Sequence, residues 1–210
     1  MKRLTFLHTS ATHVETFNAL LSRREAAPDV HHVVQPELLT MAQRDGVTPE
    51  LRKTLDAVLR TAAQDSNVIL CTCSTLGAAA ETFEGDAKVL RVDRPMLARA
   101  AQIGGRVVVL ATLGTTLSIT EKLLREEAAK VAQPVYPHLE VCTDAWSLFE
   151  LGQIKAYHQR VAACLERLAP SADVLVLAQA SMLGALAYVE LSVPVLSSPE
   201  IGLEAALELL

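Results

Sequence analysis

The sequence predicts an α/β fold of two pseudo-twofold-related βα half-domains, each with a mostly parallel four-stranded sheet flanked by helices. Three observations predict it. Apolar runs of strand length alternate with helical patterns along all 210 residues. The order of elements begins again near Arg106. Three segments of the first half also match three of the second. Residues 6–17 match 109–120 at an offset of 103, and His31–Val34 and Thr72–Gly77 match His138–Val141 and Gln179–Gly184 at an offset of 107. Such alternation yields parallel sheets with right-handed crossovers.

Taken in order, Leu4-Thr5-Phe6-Leu7 reads as the first strand. A polar loop follows, then a helix from Val14 to about Arg23, with Thr12-x-x-Glu15 as its capping box. Val30–Val34 is the second strand. Thr48-Pro49 supplies an N-cap and a first-turn proline. That helix runs to about Gln64 with Leu51, Leu55, Val58 and Leu59 on one face. Val68-Ile69-Leu70 is wholly apolar, as a strand buried on both faces would be. Val89-Leu90 lies in a fourth strand, and a helix surrounds Leu97. In the second half, strands fall at Val107–Leu110, Val135–Val141, Val174–Leu177 and Val195-Leu196. Helices fall at about Leu117–Val131, Ile154–Leu168, Leu183–Val189 and Leu203–Leu209. The halves are assigned to residues 1–104 and 105–210. The Leu-rich terminal helix is available to pack on the first half or on another subunit, so a homo-oligomer stays open.

Composition bounds the function. Half of the residues are hydrophobic and 20% are charged, which supports a full core. Aromatics are only 4%, so that core must be aliphatic. A net charge of -5 argues against a nucleic-acid backbone as partner, and the pairs Lys2-Arg3 and Arg23-Arg24 do not alter this. No apolar run reaches the ~18 residues of a membrane span, and MKRLTFLHTS reads as a strand rather than a signal peptide. The expected compartment is the cytoplasm. The four cysteines do not suggest a disulfide framework. Nothing near Cys71-x-Cys73 completes a metal set, and the scattered histidines show no ligand spacing.

Ligands of open parallel sheets bind outside the carboxyl ends of the strands. Four loops there are rich in small polar residues: His8-Thr9-Ser10, Cys73-Ser74-Thr75, Thr112–Thr116 and Gln179-Ala180-Ser181. Each leads into a helix N-terminus, which favours an anion. Hydroxyls and amides there suit a carboxylate or an enolate. The expected site lies between the halves, where Cys73 meets Ala180. Its substrate-binding set is Thr9, Ser10, Ser74, Thr75, Thr112, Thr115, Thr116, Gln179, Ala180 and Ser181. A thiol at a helix N-terminus has a lowered pKa, so Cys73 is the expected acid, base or nucleophile. Cys71 is read as a packed thiol, and redox pairing with Cys73 is disfavoured by expecting their side chains on opposite faces. His8 and His13 are read as hydrogen-bonded polar residues near a strand end, and Asp93 and Glu200 as caps.

With these residues in place, the whole chain resembles the aspartate/glutamate racemase superfamily, which includes hydantoin racemases, maleate isomerases and arylmalonate decarboxylase. The resemblance rests on the duplicated βα pattern, Thr9 and Thr112, Cys73-Ser74-Thr75-Leu76-Gly77, and Gln179-Ala180-Ser181-Met182. His32–Leu39 with Val47–Leu51 also resembles a subgroup of its small members. It implies a cofactor-independent enzyme acting at the carbon next to a carboxylate. The family's racemases use two cysteines on opposite faces of that carbon. Cys73 takes the first position, and the second falls on Ala180, which carries no proton. The resemblance therefore implies an isomerase-like or decarboxylase-like reaction with a single cysteine, on a small carboxylic acid or dicarboxylate. The alternative is a non-catalytic protein that binds or senses such an acid.

Overall fold

Short aliphatic runs of both halves pair into sheets, and the computed structural model describes them within residues 3–25 and 28–210. Lys2, part of the first basic pair, lies outside the described residues. Strands β1 (Arg3–His8), β2 (Asp29–Val34), β3 (Val68–Cys71) and β4 (Lys88–Arg91) form a sheet of order β2-β1-β3-β4. Strands β5 (Gly105–Ala111), β6 (Val135–Val141), β7 (Val174–Leu177) and β8 (Val195–Ser197) form a second, of order β6-β5-β7-β8. Every neighbouring pair is parallel. The fold class is therefore that expected, and the two sheets share one strand order.

The helices are α1 (Thr12–Leu21), α2 (Pro36–Asp45), α3 (Pro49–Ala63), α4 (Ser74–Ala80), α5 (Arg94–Ile103), α6 (Gly114–Ala128), α7 (Ala145–Glu150), α8 (Ile154–Leu168) and α9 (Ser198–Leu207). Thr48 caps α3 as expected, its side chain accepting from Leu51 N–H at 3.2 Å. The capping box on α1 does not form. The cap is Ala11, and Thr12 is already helical with its hydroxyl 2.8 Å from Ser10 Oγ. Helices α2 and α7 have no counterpart in the expected order. Only Leu38 and Ala42 of α2 are buried, too few to mark a period, and α7 has six residues. The segment expected to be helical from Leu183 is a 3-10 helix over Ala180–Tyr188.

Side-chain alternation along the central strands feeds both faces of each sheet. In the first, Leu4, Phe6, Val68 and Leu70 pack with Phe17, Leu20 and Leu21 of α1 and Leu203 and Ala206 of α9. Leu7, Ile69 and Cys71 pack on the other face with residues of α2, α3 and α4. In the second sheet, Val108, Leu110, Leu175 and Leu177 pack with α8. Helices α5 and α6 pack on each other, α6 contacts β5, and α5 contacts β7. Arg94 of α5 reaches Glu127 of α6 at 2.6 Å.

This packing sets the compact units. One holds the chain up to Asp93 together with Pro199–Leu210, and the other is Arg94–Ser198. The strand repeat suggested a cut between 104 and 105. The units instead exchange helices: α5 follows β4 yet belongs to the second unit, and α9 follows β8 yet belongs to the first.

Candidate active site

In the first unit, the end of β3 turns directly into α4, and Cys73 is the N-cap with an extended backbone (φ -99°, ψ 112°). The residue is 7% exposed. The side chains of Thr9 and Thr75 and the backbone N–H groups of Thr75 and Leu76 hydrogen-bond its sulfur. Burial pushes the thiol above its ordinary pKa, and these hydrogen bonds oppose the shift without cancelling it. This corrects the expected depressed value. Desolvation outweighs the helix terminus, so the resting group is the protonated thiol.

Behind it, Arg91 makes a bidentate pair with Asp93 at 2.6 and 2.8 Å, and its Nη2 donates to the Ser74 carbonyl at 3.3 Å. Both partners are almost fully buried. Asp93 is the ion-pair partner of Arg91 and also directly precedes α5, and Glu200 lies within the first turn of α9. Cys71 and Cys73 lie two residues apart and share one cluster, contrary to the opposite faces expected. Cys71 donates to the Cys73 carbonyl at 3.7 Å, and burial, first of all, raises its pKa.

In the second unit, the backbone N–H and the hydroxyl of Thr112 both donate to Gln179 Oε1, at 2.7 and 2.8 Å. Gln179 is the N-cap of the 3-10 helix, also extended (φ -130°, ψ 138°). Ladder register decides the internal repeat. Leu7 pairs with Cys71, and Leu110 with Leu177. Thr72 N–H donates to Leu7 O, and Ala178 N–H to Leu110 O. With Leu7 equivalent to Leu110, Cys73 falls on Gln179 rather than Ala180. The buried pair Leu76 and Met182 follows the same shift, as does the contact of Thr9 with Cys73 beside that of Thr112 with Gln179. The sequence match of Leu76-Gly77 to Leu183-Gly184 had set the repeat one residue too far.

Thus the first unit gathers Thr9, Cys73 and Thr75 about one sulfur, with Ser74 beside them at the start of α4. Ser10 is turned to Thr12. The second unit joins Thr112 to Gln179. Thr116 is buried in the first turn of α6, Thr115 is exposed there, and Ala180 is buried after the cap. Ser181 Oγ lies 2.9 Å from Tyr157 Oη.

A model of the Asp/Glu/hydantoin racemase family matches residues 6–206. The chain belongs to this family. An aspartate racemase from Picrophilus torridus superposes with a TM-score of 0.76 at 14% identity, covering 99% of this chain and 94% of its own. A glutamate racemase from Bacillus anthracis gives 0.65 at 18%, covering 99% and 81%. An allantoin racemase from Klebsiella pneumoniae gives 0.65 at 19%, covering 100% and 87%. At these identities the likeness is one of fold. Among curated proteins none matches the chain. No helix among the described residues is long and apolar enough to cross a membrane.

Two features of this racemase-family chain escaped the sequence reading. Tyr157 is fully buried, and burial, first of all, lifts its phenol to about 12. It sits at core spacing from Val161, and nothing in that pattern marks its hydroxyl partner. His8, His13 and His32 also converge, although they are dispersed in sequence. Phe6 is opposite His32 in the β1–β2 ladder, so alternation puts His8 on the same face. Strand register was needed to see this.

Proposed function

We propose that the chain is a cofactor-independent enzyme acting at the carbon next to a carboxylate of a small acid, with Cys73 as the acid that protonates this carbon. The donor set on the Cys73 sulfur carries the proposal. A buried thiol rests with its proton on, and Thr9, Thr75 and two backbone amides are aimed at the sulfur that becomes negative when the proton leaves. Such a group gives a proton more readily than it takes one. Gln179, at the equivalent cap, is an amide with no acid or base function near pH 7. These residues favour a one-thiol reaction, protonation of an enolate left by decarboxylation, over two-thiol racemisation. In the first unit the hydroxyls of Thr9, Ser10, Ser74 and Thr75, beside Cys73, are the groups for carboxylate or enolate oxygens. Gln179 also favours a second reading, a carboxylate-binding protein without turnover.

The test uses L-aspartate, L-glutamate and phenylmalonate in deuterated water, followed by proton NMR. Deuterium at the α-carbon of the phenylmalonate product, lost in Cys73→Ala, is the expected result. Equal rates in wild type and Cys73→Ala would refute the role of Cys73. Binding of the acids without turnover would select the second reading.

A further inference from the structure

Five side chains of the first unit are joined end to end and have no part in the chemistry above. Asn18 Oδ1 lies 3.1 Å from His32 Nε2, and His32 Nδ1 lies 2.8 Å from His8 Nε2. His8 Nδ1 lies 2.8 Å from Thr72 Oγ1, which is 3.4 Å from His13 Nδ1. Asn18 is exposed, whereas His8, Thr72 and His13 are 0%, 2% and 8% exposed. Phe6 stacks on both His32 and His8, at 4.9 and 5.7 Å between ring centroids, and Phe17 lies 5.7 Å from His8. The chain thus runs from the surface inward through an aromatic sheath. It reaches the residue before Cys73 and the first turn of the helix that follows Thr9.

Its hydrogens have two self-consistent arrangements. In one, donors point inward: the Asn18 amide, turned over so that its N–H2 faces the ring, to His32 Nε2, His32 Nδ1–H to His8 Nε2, His8 Nδ1–H to Thr72 Oγ1, and the Thr72 hydroxyl to the Leu7 carbonyl at 3.1 Å. In the other they point outward: the Thr72 hydroxyl to His8 Nδ1, His8 Nε2–H to His32 Nδ1, and His32 Nε2–H to Asn18 Oδ1. Inward transfer joins the two. Water protonates His32 Nε2, and the Nδ1 proton of His32 passes to His8 Nε2. The Nδ1 proton of His8 passes to Thr72 Oγ1, and the Thr72 proton turns to His13 Nδ1. At each member one bond forms as another breaks. One proton enters at His32 and one arrives at His13 Nδ1; His13 gives up its own Nε2 proton on the side of the half-site and so ends neutral, and reversal of the donors resets the chain.

We infer that His32, His8, Thr72 and His13 form a proton relay between solvent and the Cys73 half-site. Conduction follows from this geometry. Its use in turnover, replacing the proton that Cys73 gives up, rests on the reading of Cys73 as an acid. In either case the histidines are positioning residues and not catalytic ones.

Conduction is tested without any substrate. In 15N-labelled protein at pH 7, the buried His8 ring N–H is expected to exchange with water at least tenfold faster in wild type than in His32→Phe, with the backbone amides of β1 unchanged. Should His32→Phe fold poorly, His32→Gln keeps a polar side chain while removing the transfer step. Equal His8 exchange in wild type and the folded variant would overturn the relay. For turnover of phenylmalonate, His32→Gln is expected to lower kcat about tenfold, leave KM within twofold, and recover with added imidazole. Unchanged kcat would overturn the catalytic use of the relay. Full turnover by Cys73→Ala would instead remove the reading of Cys73 and leave the exchange experiment to judge the relay.

Discussion

Acidification from pH 7 to pH 4.5 is expected to weaken the first unit through two histidines. Burial, first of all, holds His8 at about 3 and His13 at about 4, and the neighbouring His13 and His32 lower His8 further. Unfolded, both titrate near 6.5. Their folded values are depressed, so the unfolded chain binds more protons below 6.5. The stability they contribute is present above that pH and is lost as the pH falls towards the folded values. At pH 4.5 an unfolded imidazole lies about two units below its pKa, and each unit corresponds to about 1.36 kcal/mol. The loss is about 2.7 kcal/mol for His8, slightly less for His13, and roughly 5 kcal/mol together. Because each charge raises the cost of the next, the two are not strictly additive. Carboxylates also titrate in this range, so the comparison is made with His8→Gln, which removes one imidazole. Urea unfolding followed by circular dichroism at the two pH values gives the loss for each protein. The variant should lose about 2–3 kcal/mol less than wild type. An identical loss in the two proteins would refute the argument that a buried neutral imidazole links folding to pH.

Two other outcomes follow from local geometry. Thr48→Ala removes the hydroxyl that accepts from Leu51 N–H and should cost about 1 kcal/mol in urea unfolding. Carbamidomethylation of Cys73, read by peptide mass spectrometry, should be at least tenfold slower at pH 7 than that of a free thiol and should keep rising above pH 9. Alkylation at the free-thiol rate would contradict a buried, protonated sulfur.

What the sequence disclosed depended on the range of the interaction. Strands such as Val68–Cys71 and Val174–Leu177 are continuous apolar runs, and their alternation with helices was enough to predict two parallel sheets. The cap at Thr48 was legible because its partner is three residues away. Thr12 carried the same signal, but the turn closed one residue earlier, at Ala11. The loop bearing Cys73 was legible from its place after a buried strand. Its counterpart was not, because Leu-Gly recurs one residue out of step with the ladder, and only strand pairing exposes Gln179. The elevated thiol pKa depends on burial by distant residues, and the histidine chain depends on register between β1 and β2. Neither quantity is local in sequence.

Helix α9 follows every other element in the sequence, yet Leu203 and Ala206 cover a face made by Leu4, Phe6, Val68 and Leu70. A Cβ at Gly202 would lie 2.6 Å from the Val92 carbonyl oxygen, so the helix seats tightly against the end of β4. During synthesis the sheet that carries Cys73 therefore waits, one apolar side covered by α1 alone, while more than a hundred residues of the second unit emerge. The nascent chain carries an exposed patch of a kind that holdase chaperones recognise, and the first unit can close only once translation has passed the second.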